Sequence, residues 1–125
     1  MLQKLVWLAL AGACGTLARY GLAGAVHRWL GGVFPWGTAF VNILGCLLFG
    51  LIWAAMGERT IISPEVRSVV LIGFMGAFTT FATFAAETGQ LFSDGELLIG
   101  FANVTFQLVT GLGMFYLGLA IGRTV

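Results

Sequence analysis

Residues 73–84 read Gly-Phe-Met-Gly-Ala-Phe-Thr-Thr-Phe-Ala-Thr-Phe, and they place small, hydroxyl and aromatic residues together inside an apolar segment long enough to cross a membrane. Irregular backbone at membrane depth survives only where protein or a water-filled cavity satisfies its polar groups. We therefore interpret the stretch from Gly76 to Thr80 as a break in the middle of a transmembrane helix. A break of this kind indicates a bound ion or a permeation path.

The composition of the whole chain sets the environment in which this stretch folds. Of the 125 residues, 59% are hydrophobic, 9% are charged and 19 are glycines, and the mean hydropathy is +1.00. Soluble domains carry about 25% charged residues. The sequence therefore predicts an integral membrane protein.

The apolar segments predict four transmembrane helices, since each span needs about 20 mostly apolar residues. They cover residues 2–29, 36–56, 65 or 66 to 91, and 96–121. Ser63 followed by Pro64 is typical of a helix N-cap with proline in the first turn, which starts the third helix. The expected fold is a single all-α transmembrane domain over residues 1–125.

The ends of these helices carry residues that suit a membrane surface. Tryptophan favours the interface, and all four tryptophans fall near predicted helix ends: Trp7, Trp29, Trp36 and Trp53. The N-terminal segment lacks a small-residue cleavage site, so we expect it to be retained as the first helix. Positive charges favour cytoplasmic termini by only a few residues: Lys4, Arg59, Arg67 and Arg123 lie on the terminal side, against Arg28 on the other.

Enzyme chemistry has no support in the sequence. Cys14 and Cys46 lie in apolar segments and are interpreted as small buried hydrophobes. His27 is the single histidine, and no group of nitrogen, sulfur and carboxylate ligands accompanies it.

Polar side chains inside the spans are the sharper indication of function, because unpaired polar groups are costly in hydrocarbon. Asn42 is expected to point inward, because its own helix cannot readily use its amide donors. For any single threonine, a hydroxyl bonded back to its own helix is the alternative. The other uncharged members are Thr38, Thr79, Thr80, Thr83, Asn103, Thr105, Gln107 and Thr110, and Arg19 and Glu87 are the charged ones.

Phe81 and Phe84 lie three residues apart, so both rings fall on one helical face. Ordinary apolar packing is the alternative, but the pair directly follows the break. Aromatic rings are positive at their edges, which allows them to approach an anion. Four helices are barely enough to surround a pathway, so transport implies an oligomer. Small-residue pairs support close helix packing: Gly118 with Gly122, Gly73 with Ala77, and Ala11 with Gly15.

Three motifs together resemble the Fluc (CrcB-type) fluoride channel family over essentially the whole chain. They are Gly15-Thr-Leu-Ala-Arg19, Pro35-Trp-Gly-Thr-Ala-Phe-Val-Asn42 and the stretch 73–84. The resemblance implies an antiparallel, dual-topology homodimer in the cell (inner or plasma) membrane, with two fluoride pathways along the subunit interface. It also implies a structural Na⁺ at the dimer centre, bound by the carbonyl oxygens of Gly76 and Thr79.

The resemblance further implies roles for individual side chains in letting fluoride leave the cell passively, down its electrochemical gradient. Phe81 and Phe84 would contact fluoride, and Asn42 would donate a hydrogen bond. The polar track would continue through Thr38, Thr80 and Thr83, with Arg19 at an aqueous vestibule or, alternatively, snorkelling or capping a helix. The chain departs from the family at Ala82, where relatives often have serine, and at Gln107 and Gly111, where they often have serine or threonine. Gln107 would substitute as an amide donor.

Two other functions fit a small membrane protein. A proton-coupled exporter of the small multidrug type needs a carboxylate deep in the first helix, where this chain has Arg19 and no acid. Glu87 is the only candidate, and its place late in the third helix is interpreted as interfacial. A subunit of a membrane assembly without transport function would leave the polar break unexplained.

Overall fold

A computed structural model describes residues 1–57 and 62–124 of the chain. Arg59, which contributes to the predicted charge bias, lies outside the described residues. The described residues form helices joined by short turns, and no strand occurs among them.

Within residues 1–57 and 62–124, four helical spans are long and apolar enough to cross a membrane, which confirms the predicted number. Helix α1 is Leu2–Leu30, and α2 is Trp36–Gly57. The third span consists of α3 (Pro64–Ser68), a π-helical segment (Val69–Met75), α4 (Gly76–Phe78) and α5 (Phe81–Ser93), and α6 is Leu97–Thr124. The chain is a multi-pass protein of the cell membrane, and its span boundaries lie within a few residues of those predicted.

The third span begins with the predicted cap. The Ser63 Oγ accepts a hydrogen bond from the Val66 N–H at 3.3 Å, and Pro64 occupies the first turn. The N–H groups of a first helical turn have no partners within the helix, so this side chain satisfies one of them.

Glycines bring the helix backbones into direct contact. A Cβ atom on Gly118 would meet the carbonyl oxygen of Leu47, and one on Gly122 would meet that of Leu51, so α6 packs closely on α2. A Cβ on Gly15 would likewise meet the carbonyl oxygen of Phe74, which brings α1 against the third span. The small-residue pairs found in the sequence therefore pack helices within one chain.

The buried core lies between α2 and the first half of the third span. Val41, Leu71, Met75 and Phe78 form a buried cluster there. Leu71 and Met75 belong to the π-helical segment, where each backbone bond spans one residue more than in an α-helix. This packing places the end of the π-helical segment and α4 against α2.

Candidate ion pathway

Thr79 and Thr80 separate α4 from α5 with extended backbone. Their φ and ψ angles are −90° and 158° for Thr79, and −150° and 109° for Thr80. Thr80 is also the N-cap of α5, because its Oγ1 accepts from the Thr83 N–H at 3.3 Å. The chain turns from one helix to another at this pair, inside a span of 30 residues.

Asn42 on α2 binds the interrupted backbone through both ends of its side-chain amide. The Thr80 N–H donates to Asn42 Oδ1 at 2.8 Å, and Asn42 Nδ2 donates to the Thr80 carbonyl at 3.1 Å. Asn42 Nδ2 also donates to Gln107 Oε1 on α6 at 2.9 Å. Asn42 therefore points into the bundle and satisfies polar backbone that the interruption would otherwise leave bare.

The interruption takes helical donors away from several carbonyl oxygens, and those of Gly76 and Thr79 are among them. The Thr80 N–H would bond the Gly76 carbonyl in an α-helix, but it donates to Asn42 instead. The Thr83 N–H would bond the Thr79 carbonyl, but it donates to Thr80 Oγ1. The Thr79 hydroxyl is turned back to the Met75 carbonyl at 3.1 Å, so the carbonyl is the group of Thr79 that remains for a ligand.

Arg19 reaches the interruption from α1. Its Nε donates to the carbonyl oxygen of Ala77 at 3.0 Å, in the last residues of α4. Ala77 would otherwise accept from the Phe81 N–H in a continuous helix. This contact agrees with the alternative interpretation, in which Arg19 caps a helix. A role for Arg19 in a vestibule stays a prediction.

A groove of about 350 Å³ lies between α2, α5 and α6. Five of the predicted pathway residues line it: Asn42, Thr80, Phe81, Phe84 and Gln107. The centroids of the Phe81 and Phe84 rings are 5.5 Å apart and their planes are tilted by 49°. Phe84 is 8% exposed and Phe81 is 75% exposed in the single chain, so one ring forms the inner wall and the other the rim.

Thr83 and Thr38 lie outside the walls of this groove. Thr83 Oγ1 accepts from the Thr80 hydroxyl at 2.9 Å. Thr38 is buried and donates to Glu87 Oε1 at 2.8 Å, in a second cavity of about 350 Å³ that His27 and Asp94 also line. Glu87 Oε2 is buried and has no hydrogen-bond partner among the described residues. Glu87 thus faces α2 in this cavity, and its interpretation as an interfacial residue stays a prediction.

A chain of hydrogen bonds continues from Asn42 through two residues for which the sequence suggested no specific role. Gln107 Nε2 donates to Asn103 Oδ1 at 2.8 Å, and Asn103 Nδ2 donates to Thr88 Oγ1 at 2.9 Å. The Thr88 hydroxyl then donates to the Phe84 carbonyl at 2.7 Å. Asn103 is fully buried. The sequence feature that could have indicated this chain is the pair Asn103 and Gln107, two amides four residues apart on one face of an apolar helix.

The chemistry of the groove suits a small anion. The first turn of α5 starts at Phe81, and the N-terminus of a helix carries partial positive charge and N–H groups without helical partners. The Gln107 amide and two aromatic rings line the same space, and one N–H of Gln107 has no partner among the described residues. The groove therefore offers hydrogen-bond donors and positive ring edges without a lysine or arginine among its lining residues.

Sequence comparison identifies relatives over the whole chain. Residues 6–119 match the family described as CrcB-like protein, Camphor Resistance (CrcB). A protein of Solidesulfovibrio magneticus named fluoride-specific ion channel FluC is 56% identical, with all of both chains covered. Proteins of the same name from Nitrosococcus oceani and Nitratidesulfovibrio vulgaris are 52% and 51% identical, covering 100% and 99% of this chain and all of each relative.

Proposed function

The chain belongs to the CrcB family, and from this premise we propose that it is a fluoride-selective passive channel that lets fluoride leave the cell down its electrochemical gradient. A passive pore needs a path but no coupled reaction. The fluoride-specific names of relatives that are more than half identical to this chain support this substrate.

The observation that carries the proposal is the groove that the Phe81 and Phe84 rings line together with Asn42 and Gln107. A selective fluoride path must replace the tightly held water of this ion by close donors, in a passage unsuited to chloride. Ring edges and neutral amides supply such contacts and release the ion again, because none of them carries a full positive charge. In this proposal Thr38, Thr80 and Thr83 continue the polar track, and Arg19 attracts anions to the vestibule.

We further propose that two copies of the chain associate as an antiparallel homodimer. One chain leaves the path open on one side, since Phe81 is 75% exposed and Gly76 is exposed at the interruption. Polar backbone at membrane depth needs a partner. A second subunit that covers this face would close the path and surround the interruption.

The donor set at the interruption fits a structural Na⁺. The carbonyls of Gly76 and Thr79 lack their helical donors, and hard cations prefer oxygen ligands. A bound Na⁺ would supply a fixed positive charge that satisfies these oxygens in both subunits. Two side chains hold the backbone around these carbonyls: Arg19 binds Ala77, which lies between them, and Asn42 binds Thr80, which follows them.

Anion efflux from liposomes tests the proposed function. Purified protein is reconstituted into vesicles loaded with potassium fluoride or potassium chloride, and valinomycin releases the voltage that efflux builds up. We expect fast fluoride efflux and no chloride efflux, without any imposed pH gradient. Equal efflux of both anions, or no fluoride efflux from folded protein, would reject a fluoride-selective channel. Efflux that requires a proton gradient would instead support the exporter.

A further inference from the structure

We propose that Thr88 and Asn103 are positioning residues that hold the Gln107 side-chain amide in the one orientation that leaves a nitrogen donor for an anion in the groove. This inference rests on the proposed fluoride path. It assigns a role to the hydrogen-bonded series Asn42, Gln107, Asn103 and Thr88, which we call the amide ladder.

The amide ladder ends at backbone groups of opposite kind, and the Thr80 N–H fixes its direction. At one end, the Thr80 N–H needs an acceptor, so Asn42 must present Oδ1 to it. At the other end, the Thr88 hydroxyl donates to the Phe84 carbonyl one turn earlier in α5, so the Thr88 oxygen presents its lone pairs to Asn103. Neither backbone group can exchange its role, because an N–H only donates and a carbonyl only accepts.

The two inner amides, Gln107 and Asn103, then have only one orientation in which each donor of the amide ladder faces an acceptor. Asn42 Nδ2 is a donor and requires the oxygen of Gln107, at 2.9 Å. The nitrogen of Gln107 therefore faces Asn103 Oδ1, and the nitrogen of Asn103 faces Thr88 Oγ1. Turning Gln107 over would set its NH₂ against that of Asn42 and its oxygen against that of Asn103. In a buried site both mismatches are costly.

The orientation of Gln107 decides what an anion in the groove meets. A primary amide has two N–H donors, and only one of those on Gln107 is used by Asn103. Gln107 is 7% exposed and lines the groove, so its second N–H is the donor that remains for a ligand. With the amide reversed, oxygen lone pairs would face the anion and repel it. Thr88 and Asn103 thus act on fluoride through Gln107 without touching it.

Removing the Thr88 hydroxyl tests the proposal. Thr88→Val keeps the shape of the side chain but leaves the Asn103 nitrogen without an acceptor inside the bundle. We expect fluoride efflux to fall about tenfold. One unpaired buried donor costs enough free energy to lower the population of the correct Gln107 orientation by that factor. Thr88→Ser keeps the hydroxyl and should conduct within about twofold of the unaltered chain. Thr105→Val, on the exposed opposite face of α6, is the matched control and should leave efflux unchanged.

Nuclear magnetic resonance of the side-chain amides separates positioning from a general loss of structure. The chain has three glutamines, at positions 3, 90 and 107, so selective ¹⁵N labelling gives few signals. We expect fluoride, but not chloride, to shift the Gln107 signal in the unaltered chain and in Thr88→Ser. In Thr88→Val this shift should be lost. If Thr88→Val does not fold, Asn103→Ala, which removes the acceptor of Gln107 Nε2, takes its place in both measurements.

The outcomes distinguish the inference from the function on which it rests. No fluoride efflux from the unaltered chain would overturn the proposed function. Normal efflux from that chain together with equal efflux from Thr88→Val, or a Gln107 signal that still responds to fluoride in Thr88→Val, would overturn the positioning role alone.

Discussion

Arg19 on α1 donates from Nε to the carbonyl oxygen of Ala77 at 3.0 Å, across a sequence separation of 58 residues. The first helix therefore caps α4 immediately before the interruption. The carbonyl of Ala77 lies between those of Gly76 and Phe78, so this contact also keeps one oxygen of the interrupted span from competing for a bound cation.

Arg19→Met should destabilise the protein, because it keeps the length of the side chain and removes the donor to Ala77. We expect the free energy of unfolding in detergent to fall by about 1–3 kcal/mol. Arg28→Met, at the exposed end of α1, is the control and should change it by less than about 0.5 kcal/mol. Equal effects of the two substitutions would show that the Ala77 contact does not contribute.

Phe81→Ile and Phe84→Ile should abolish fluoride efflux while the protein stays folded, because isoleucine has no positive ring edge. Their stabilities should differ. Phe81 is largely exposed in the single chain and its loss should cost little, whereas Phe84 is buried and should cost about 1 kcal/mol. Liposome efflux and unfolding in detergent measure both effects. Phe101→Ile, another exposed ring, is the control, and normal efflux from either groove variant would remove its ring from the path.

Asn42→Asp should stop fluoride efflux even in folded protein. A carboxylate still accepts from the Thr80 N–H, but it cannot donate to the Thr80 carbonyl or to Gln107. It also places a negative charge against an anion. Asn42→Leu separates the two effects, because it removes the donor without adding charge. If Asn42→Asp conducted at the normal rate, Asn42 would have no part in the path.

Sodium should stabilise the protein against heat. The unfolding temperature should rise as sodium replaces N-methylglucamine in the buffer. Thr79→Val should keep this dependence, since the hydroxyl of Thr79 bonds Met75 and the carbonyl is the proposed ligand. Differential scanning fluorimetry in detergent measures the shift. An unfolding temperature independent of sodium would contradict the site at Gly76 and Thr79, and loss of the dependence in Thr79→Val would assign the ligand to the hydroxyl.

Gly118→Ala should destabilise the bundle by more than about 1 kcal/mol, because the added methyl group meets the carbonyl oxygen of Leu47 and forces α6 from α2. Gly113→Ala on the same helix meets nothing within 4 Å and is the matched control. It should be neutral or slightly stabilising, since alanine favours helix more than glycine does. Unfolding in detergent compares the two, and a similar loss in both would contradict the close approach at Gly118.

The sequence predicted those features that depend on local pattern. Hydropathy located the four spans, and Ser63 with Pro64 located the start of the third, because each depends on neighbouring residues alone. The hydrogen-bond partners of the polar side chains could not be predicted from neighbouring residues. The residues that Asn42 contacts lie 38 and 65 positions away, and Glu87 faces Thr38 across 49 positions.

The roles within the amide ladder were also beyond local pattern. Asn103 and Gln107 share a helical face, which was visible, but the acceptor on Thr88 comes from another helix. The π-helical segment was not predicted either, because an apolar run satisfies either helix type and packing decides between them.

The contact between Asn42 and Thr80 has the form of one rung of an antiparallel β-sheet. Two residues of paired strands exchange N–H and C=O bonds in the same way, and here a side-chain amide takes the part of the second strand. Asparagine is the residue whose side chain repeats a peptide group one carbon from the backbone. The position of Asn42 on α2 therefore specifies where the third span is interrupted. An asparagine one turn further along α2 would favour an interruption at a different depth.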